Sequence, residues 1–154
     1  MRVVLFEPEI PQNAGNISRT CVLTNSELHL IRPLGFSLEN RYLKRAGLDY
    51  WEHLKLFLHY SWEDFSEKFA RNEGRFMFFS SHGKEYYHQQ IYTDNDFLIF
   101  GSETSGLPHL LINNYPHVYR LPMVRQIKRS LNLSNTVAVV LYEAMRQHNF
   151  PGLE

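Results

Sequence analysis

Residues 97–108 read FLIFGSETSGLP, four consecutive apolar residues followed by a turn that holds two glycines and a proline. A short apolar run ended by glycine is typical of a strand buried on both faces of a parallel sheet. Ligands of α/β proteins bind where such strands end. Gly101 lets the backbone come close to a ligand, and Glu103 adds a carboxylate beside it. A plain strand-to-helix turn accounts for the same residues, so both interpretations stay open.

Four other short runs of apolar, β-branched or aromatic residues are predicted strands, at residues 3–6, 28–31, 76–80 and 118–123. Segments with helical spacing or turn residues separate them. This alternation favours an α/β fold in which a parallel sheet is flanked by helices. The chain of 154 residues shows no repeat and no linker, and its length suits one domain over residues 1–154.

The last predicted helix has the clearest pattern. It begins at a cap formed by Ser134 or Asn135 and stops at Pro151 and Gly152. Helical spacing puts one set of side chains on a single buried face. The members of that face are Val137, Val140, Leu141, Ala144, Met145 and His148.

Two further helices are predicted. One begins near Asn13 or Asn16 and runs to about Thr24, with Ile17 and Cys21 facing inward. Another covers residues 62–70. Its apolar face comprises Trp62, Phe65 and Phe69.

Composition and charge exclude several classes of protein. Sixteen Lys and Arg residues balance 16 Asp and Glu residues, which counts against a broadly basic coat for nucleic acid. With 44% hydrophobic and 21% charged residues, the chain is not a disordered one. Cys21 is the single cysteine, so disulfide frameworks and Cys-rich zinc sites are excluded. Eight scattered histidines without clustered Cys or carboxylate partners predict no metal site.

Other known sequence signals are missing as well. There is no G-x-G-x-x-G, Walker or G-x-S-x-G sequence, so we do not expect a nicotinamide enzyme, an NTPase or a serine hydrolase. The apolar run at residues 3–6 is too short for a signal peptide. No stretch approaches the roughly 20 apolar residues of a membrane span. We therefore expect a cytoplasmic protein.

Two polar segments complete the set of candidate ligand sites. Residues 7–19 read EPEIPQNAGNISR. Asn13 and Asn16 can hold this loop by side-chain bonds to the backbone. Arg19 follows Asn16 by one helical turn and is placed to meet an anion or a ribose phosphate. An ordinary helix cap with a surface arginine is the alternative interpretation.

The second segment, residues 129–136, reads RSLNLSNT. Five of its eight residues are Ser, Thr or Asn, more than one helix cap requires. It leads directly into the last predicted helix. A generous capping loop is the alternative, and a ligand-binding loop is the interpretation that we favour.

In chain order, these three segments resemble the sequence motifs of the SPOUT superfamily of RNA methyltransferases. More narrowly, they resemble its bacterial tRNA wobble-nucleotide (cytidine/uridine) 2′-O-methyltransferase family. The resemblance covers nearly the whole chain and is most specific at residues 130–135. The matching positions are residues 7–11, Asn13, Gly15, Asn16, Arg19, and residues 32–36, 43–50, 130–135 and 142–144.

The resemblance implies a SPOUT fold with a deep trefoil knot in the C-terminal third, and such knots are rare. It also implies a homodimer whose active sites draw on both chains, with S-adenosyl-L-methionine bound by the loops of the knot. An apolar slot with backbone donors suits adenine. By matching position, the implied cofactor contacts are Phe79, Gly101, Glu103, Leu121, Met123, Ser130, Leu133 and Asn135.

The implied reaction is methyl transfer to the ribose 2′-hydroxyl of the wobble cytidine or uridine in the tRNA anticodon loop. The family places its arginine, here Arg19, beside that hydroxyl, so Arg19 is the predicted catalytic residue. Since arginine is effectively always protonated, we expect it to orient the hydroxyl and phosphate and to stabilise the developing oxyanion.

Single-stranded RNA loops are read through stacking and 2′-hydroxyl contacts. The candidate RNA contacts are Asn13, Asn16, Arg41, Lys44, Arg45, Arg129 and Tyr142. For the patch formed by Arg41, Lys44 and Arg45, a solvated helix face is the alternative. The family usually has proline where Ser102 stands and often arginine where Ser105 stands. We expect Ser102 to loosen the turn slightly and Ser105 to alter RNA contacts.

Three rival functions remain open. The chain could be a SPOUT enzyme for another ribose in tRNA or rRNA, an inactive RNA-binding module on the same scaffold, or a protein that binds small nucleotides. Arg19 and Glu103 with residues 130–135 argue against an inactive module. The short chain favours the wobble family, because it leaves no room for an appended RNA-binding domain.

The net charge of zero conceals a local excess of positive charge. Residues 120–129 hold four basic residues and no acidic ones, and residues 41–45 hold three basic residues. This distribution permits a local grip on RNA phosphates rather than a broad one. Pairing such clusters across a dimer would enlarge the RNA-binding surface.

Overall fold

A computed structural model describes residues 1–38, 51–69, 74–124, 126–127 and 129–154. The patch formed by Arg41, Lys44 and Arg45 lies outside the described residues, as do two of the basic residues between 120 and 129. In the described part of the chain, no helix is both long and apolar enough to cross a membrane.

The described residues form a seven-stranded sheet in which every pairing between neighbouring strands is parallel. The predicted α/β sheet is therefore confirmed. Its strand order is β3-β2-β1-β6-β4-β7-β5. The bounds are β1 Arg2–Phe6, β2 Glu27–Ile31, β3 Lys55–His59, β4 Phe76–Phe79, β5 Glu85–Tyr86, β6 Phe97–Phe100 and β7 Val118–Arg120.

Helices cover both faces of this sheet. Their bounds are α1 Pro11–Leu23, α2 Trp62–Phe69, α3 His109–Ile112 and α4 Leu133–Gln147. On one face, α1 and α4 pack over a largely aliphatic core, in which Ile17 and Cys21 have no exposed surface. The predicted apolar face of α4 is buried there too, from Val137 to Met145. His148 is only half-buried and lies just beyond the helix.

The opposite face lies under α2 and α3 and is rich in aromatic rings. Phe65 has no exposed surface and contacts Trp62 and Phe69, so the predicted apolar face of α2 is confirmed. Two buried histidines belong to the same face. His29 Nδ1 and His59 Nε2 are 3.0 Å apart, so one ring donates a hydrogen bond to the other.

Several predicted boundaries are wrong by a few residues. β4 ends at Phe79, one residue before the predicted end, and β7 ends at Arg120, three residues before it. Two strands were missed. β3 has mostly exposed or half-buried side chains, and β5 has only two residues, so neither has the continuous apolar pattern of a central strand.

The helix ends also differ from the predictions. α1 begins at Pro11, before both asparagines, because proline suits the first position of a helix. The N-cap of α4 is Asn132 and not Ser134 or Asn135. α4 ends at Gln147, ahead of Pro151, since Asn149 and Phe150 adopt positive φ angles of 56° and 50° that break the helical backbone.

Candidate active site

A cleft of about 420 Å³ opens at the carboxyl edge of the sheet. Its floor includes Phe79 and Phe100, from the ends of β4 and β6, whose rings stack at 4.9 Å between centroids. One wall is apolar and comes from the segment between β7 and α4 and from the first residue of α4. Its side chains are Leu121, Met123, Leu131 and Leu133. Hydroxyl groups of serines and threonines line much of the remainder.

Glu103 joins the turn after β6 to the loop after β1. Its carboxylate accepts hydrogen bonds from the backbone N–H of Glu9 at 2.7 Å and of Ile10 at 3.1 Å. A third comes from Asn13 Nδ2 at 3.0 Å. Glu9 returns the contact, because Thr104 Oγ1 donates to its carboxylate at 2.7 and 2.8 Å. The two loops are thus clamped together in both directions.

Asn13 and Asn132 extend this connection to the third segment. Asn132 Nδ2 donates to Asn13 Oδ1 at 3.0 Å. Asn132 Oδ1 accepts from the backbone N–H of Ser134 at 2.9 Å, which caps α4. We call the chain of bonds from Glu103 through Asn13 to Asn132 the carboxamide relay. It holds the three sequence motifs together at one side of the cleft.

The turn after β6 depends on a close approach of two backbone segments. A Cβ atom on Gly101 would lie 2.1 Å from the carbonyl carbon of Gly106, so no larger residue fits there without moving the backbone. The absence of a side chain at Gly101 thus allows the backbone at Gly106 to pack against it, and Gly101 also lines the cleft. Ser102 stabilises the turn, since its carbonyl accepts from Gly106 N–H at 3.0 Å and its hydroxyl from Ser105 N–H at 3.3 Å.

Most of the predicted cofactor contacts lie together. Seven of the eight line the cleft: Phe79, Gly101, Glu103, Leu121, Met123, Ser130 and Leu133. Asn135 is not among the lining residues, because it lies on the first turn of α4, where its N–H contacts Asn132 Oδ1 at 3.4 Å. Glu103 lines the cleft, but its carboxylate oxygens already accept three hydrogen bonds from residues 9–13.

The predicted catalytic and RNA-contacting residues are more dispersed. Asn13 is buried and lines the cleft. Asn16, Arg19, Arg129 and Tyr142 are exposed and do not line it. Since α1 begins at Pro11, Arg19 lies in mid-helix and not near the helix start, about 9 Å along the axis from Asn13.

Sequence reasoning missed two groups of residues at the cleft. Asn132 belongs to the segment 129–136, and its position immediately before the apolar Leu133 is the sequence signal that marks it as a cap. His82 and His109 also line the cleft, with ring centroids 4.8 Å apart. They are 27 residues apart in the sequence, so no local pattern predicts their contact.

The cleft is nearly free of formal charge. Among its lining residues in the described part of the chain, Glu103 is the single carboxylate and there is no lysine or arginine. The described residues contain no group of three His, Cys, Asp or Glu side chains that could hold a metal ion. The arrangement suits a ligand with an apolar planar part and a polar part.

A parallel sheet with such a cleft at its carboxyl edge is the setting of many ligand-binding enzymes. Residues 1–142 match the model of the SpoU rRNA Methylase family. The chain therefore belongs to the SpoU rRNA methylase family, and the resemblance to RNA methyltransferases is confirmed.

Individual relatives agree with this assignment. A Bacillus subtilis protein provisionally named tRNA (cytidine(34)-2′-O)-methyltransferase is 52% identical, over 100% of this chain and 97% of its own. The tRNA (cytidine(34)-2′-O)-methyltransferase of Burkholderia cenocepacia is 46% identical, over 97% of each. A solved structure presented as structural insights into the 2-OH methylation of C/U34 on tRNA has a TM-score of 0.90 at 45% identity, covering 96% of this chain and 95% of the other.

Proposed function

We propose that this chain is one methyltransferase domain that methylates the ribose 2′-hydroxyl of the wobble cytidine or uridine in the tRNA anticodon loop, with S-adenosyl-L-methionine as methyl donor. The observation that carries the proposal is the carboxamide relay, which brings three motifs together at one cleft. In it, Asn13 contacts Glu103, 90 residues away in the sequence, and Asn132, 119 residues away. The names of full-length relatives point to the same reaction. The tRNA substrate makes the cytoplasm the proposed place of action.

The residues of the cleft fit S-adenosyl-L-methionine. Leu121, Met123 and Leu133 would hold the adenine ring against apolar surface, and hydroxyls such as that of Ser130 would meet its polar edges. When bound, the cofactor supplies a methyl group already activated on a sulfonium, so the work left to the protein is positioning.

In this proposal the carboxamide relay is a positioning device. Glu103 fixes the backbone of residues 9–10, and Asn132 fixes the side chain of Asn13. Asn13 is 5% exposed, and both of its polar atoms have partners within the relay. Because Asn13 is held from two sides, the first turn of α1 that carries it keeps one geometry at the edge of the cleft.

Arg19 is proposed to orient the 2′-hydroxyl and the neighbouring phosphate. Its guanidinium can donate to both and can stabilise the oxyanion that develops as the proton leaves. It stays protonated, so the proton passes to phosphate or water. Asn16, Arg129 and Tyr142 are exposed, and they are proposed as RNA contacts together with Arg41, Lys44 and Arg45.

A homodimer and the C-terminal trefoil knot belong to the same proposal. Arg19 does not line the cleft of its own chain, which supports a site completed by a second copy. The packed helices α1 and α4 carry exposed apolar side chains that such a copy would cover. They include Leu23 at 64%, Tyr142 at 46% and Val139 at 39% exposure. Sedimentation equilibrium would measure the oligomeric state directly.

The test is incubation of the protein with labelled S-adenosyl-L-methionine and tRNA that lacks the modification, followed by nucleoside mapping. We expect label on the ribose of the wobble nucleotide. Label on a base would overturn the reaction type, and label on another ribose would favour the broader SPOUT activity. Cofactor binding without transfer would favour an inactive RNA-binding module, and failure to bind any RNA would favour a protein for small nucleotides.

Substitution of Arg19 tests its proposed role within this assay. We expect Arg19→Ala to lower kcat by about 100- to 1000-fold, the usual loss for an oxyanion-stabilising donor. The melting temperature should be unchanged, because Arg19 is exposed. Arg19→Lys keeps the charge without the planar fork. If Arg19→Lys retained full activity with unchanged cofactor binding, the orienting role would be wrong.

A further inference from the structure

Two histidines from separate loops meet at the cleft. His82 lies in the loop after β4, and His109 is the first residue of α3, after the turn that follows β6. Both line the cleft, and both are exposed. Their ring centroids are 4.8 Å apart with an interplanar angle of 56°. We call them the histidine pair.

The backbone around the histidine pair is held in place. The loop of His82 closes with a bond from Gly83 N–H to Ser80 O at 3.0 Å. A Cβ atom on Gly83 would lie 2.5 Å from the carbonyl carbon of Tyr119, so this loop packs directly on β7. His109 follows the buried Leu107 and the tight turn at Gly101. The backbone that carries each imidazole is therefore fixed by its contacts with the rest of the fold.

The charge of the cleft makes these rings distinctive. Among the lining residues that the structure describes, His82 and His109 are the ones whose side chains can carry a positive charge. Glu103 is the one carboxylate there, and its oxygens already accept three hydrogen bonds. An anionic group entering this part of the cleft would find imidazole N–H donors at the pair.

We propose that His82 and His109 together bind an anionic oxygen group of a substrate of the methyl-transfer reaction. The chemistry is that of a carboxylate or phosphate accepting hydrogen bonds from one or both imidazoles. Two sources have this chemistry: the α-carboxylate of the methionyl part of S-adenosyl-L-methionine, and a phosphate of the RNA next to the target ribose. This inference rests on the proposed function, and binding measurements can separate the two.

The experiment compares His82→Gln, His109→Gln and the double variant with the wild-type chain by isothermal titration calorimetry. S-adenosylhomocysteine serves as a probe that carries the carboxylate, and 5′-methylthioadenosine as a probe that lacks it. If the pair binds the carboxylate, the double variant loses about tenfold in affinity for S-adenosylhomocysteine, the usual scale for a charge-assisted hydrogen bond. Its affinity for 5′-methylthioadenosine stays unchanged.

The phosphate source gives a different result. The affinity for S-adenosylhomocysteine then stays unchanged, while the Kd for unmodified tRNA rises and depends less steeply on salt concentration. His53→Gln is the matched control, since His53 is exposed and does not line the cleft. We expect it to alter none of these constants.

The outcomes separate this inference from the proposed function. If the wild-type chain bound neither S-adenosylhomocysteine nor tRNA, the proposed function would fail. If the wild-type chain bound both and the double variant bound both equally well, the histidine pair would have no such role. An equal loss for S-adenosylhomocysteine and 5′-methylthioadenosine would also overturn it, because the pair would then contact the adenosine part.

Discussion

The face of the sheet under α2 and the cleft at its carboxyl edge are held together by different forces. Under α2, rings pack on rings, with Phe65 at the centre and five aromatic neighbours within 5.5 Å between centroids. At the cleft, directional hydrogen bonds accepted by Glu103 and donated by Asn132 join segments that apolar packing alone would not orient. The aromatic packing therefore contributes mainly to the stability of the fold, and the hydrogen bonds at the cleft mainly fix the relative positions of the segments that line it. Variants on the two sides should separate these two contributions.

The largest effect is expected from Phe65→Ala on the aromatic face. Phe65 has no exposed surface, and removing a buried phenyl ring typically costs about 3–5 kcal/mol of unfolding free energy. Urea unfolding would measure the loss. The affinity of the remaining folded protein for S-adenosylhomocysteine should stay unchanged, since Phe65 does not line the cleft. A large loss of that affinity would show that the two regions are coupled.

Glu103→Gln should affect the cleft more than the overall stability. The amide would turn a donor or a weaker acceptor toward the N–H groups of Glu9 and Ile10. Bonds to a charged acceptor are worth about 1.5–3 kcal/mol, so we expect a stability loss of that order. A displaced loop should lower kcat roughly a hundredfold. Steady-state kinetics and urea unfolding, measured side by side, would test this; unchanged kcat would contradict it.

The buried histidines of the aromatic face should make stability depend on pH. Burial lowers the pKa of His29 to about 4 and also lowers that of His59. An unfolded histidine has a pKa of about 6.5, so below that pH the unfolded chain binds more protons. Stability is therefore complete above pH 6.5 and is lost as the pH falls toward 4. Between pH 7.5 and 5.5, His29 alone should contribute a loss of about 1–2 kcal/mol.

Urea unfolding at several pH values would test this expectation above the range in which carboxylates take up protons. The charged groups that act on the two rings are Glu27 and Arg2 at His29, and Asp64 and Lys68 at His59. His29→Gln should flatten the pH dependence between pH 7.5 and 5.5, whereas the exposed His53→Gln should leave it intact. An equal slope in both variants would contradict the assignment.

The smallest effect on stability is expected at Asn132. Asn132→Ala removes the cap of α4 and should cost about 1 kcal/mol. Asn132→Asp keeps a capping oxygen but removes the bond that Asn132 Nδ2 donates to Asn13 Oδ1. We therefore expect the Asp variant to keep its melting temperature and still lose methyl-transfer activity. If the Asp variant were fully active, the bond between Asn132 and Asn13 would have no positioning role.

The core of the fold could be predicted from the sequence because its signals are local. The central strands β1, β2, β4 and β6 are short apolar runs, and α4 has apolar residues at helical spacing. Each pattern can be recognised within a short stretch of sequence, because the residues that form it are buried together in one strand or on one helix face. The edge strands β3 and β5 lack this signal, since one side of an edge strand remains open and its side chains need not be apolar.

The amino-acid sequence by itself determined the strands of the central sheet, the inward faces of α1, α2 and α4, and the motif residues that line the cleft. The tertiary structure decided how these motifs meet. It placed Glu103 on the N–H groups of residues 9 and 10, made Asn132 and not Ser134 the cap of α4, and brought His82 against His109. The physical reason is that hydrogen-bond partners and ring contacts between distant segments depend on how strands are ordered in the sheet, and local patterning carries no record of that order.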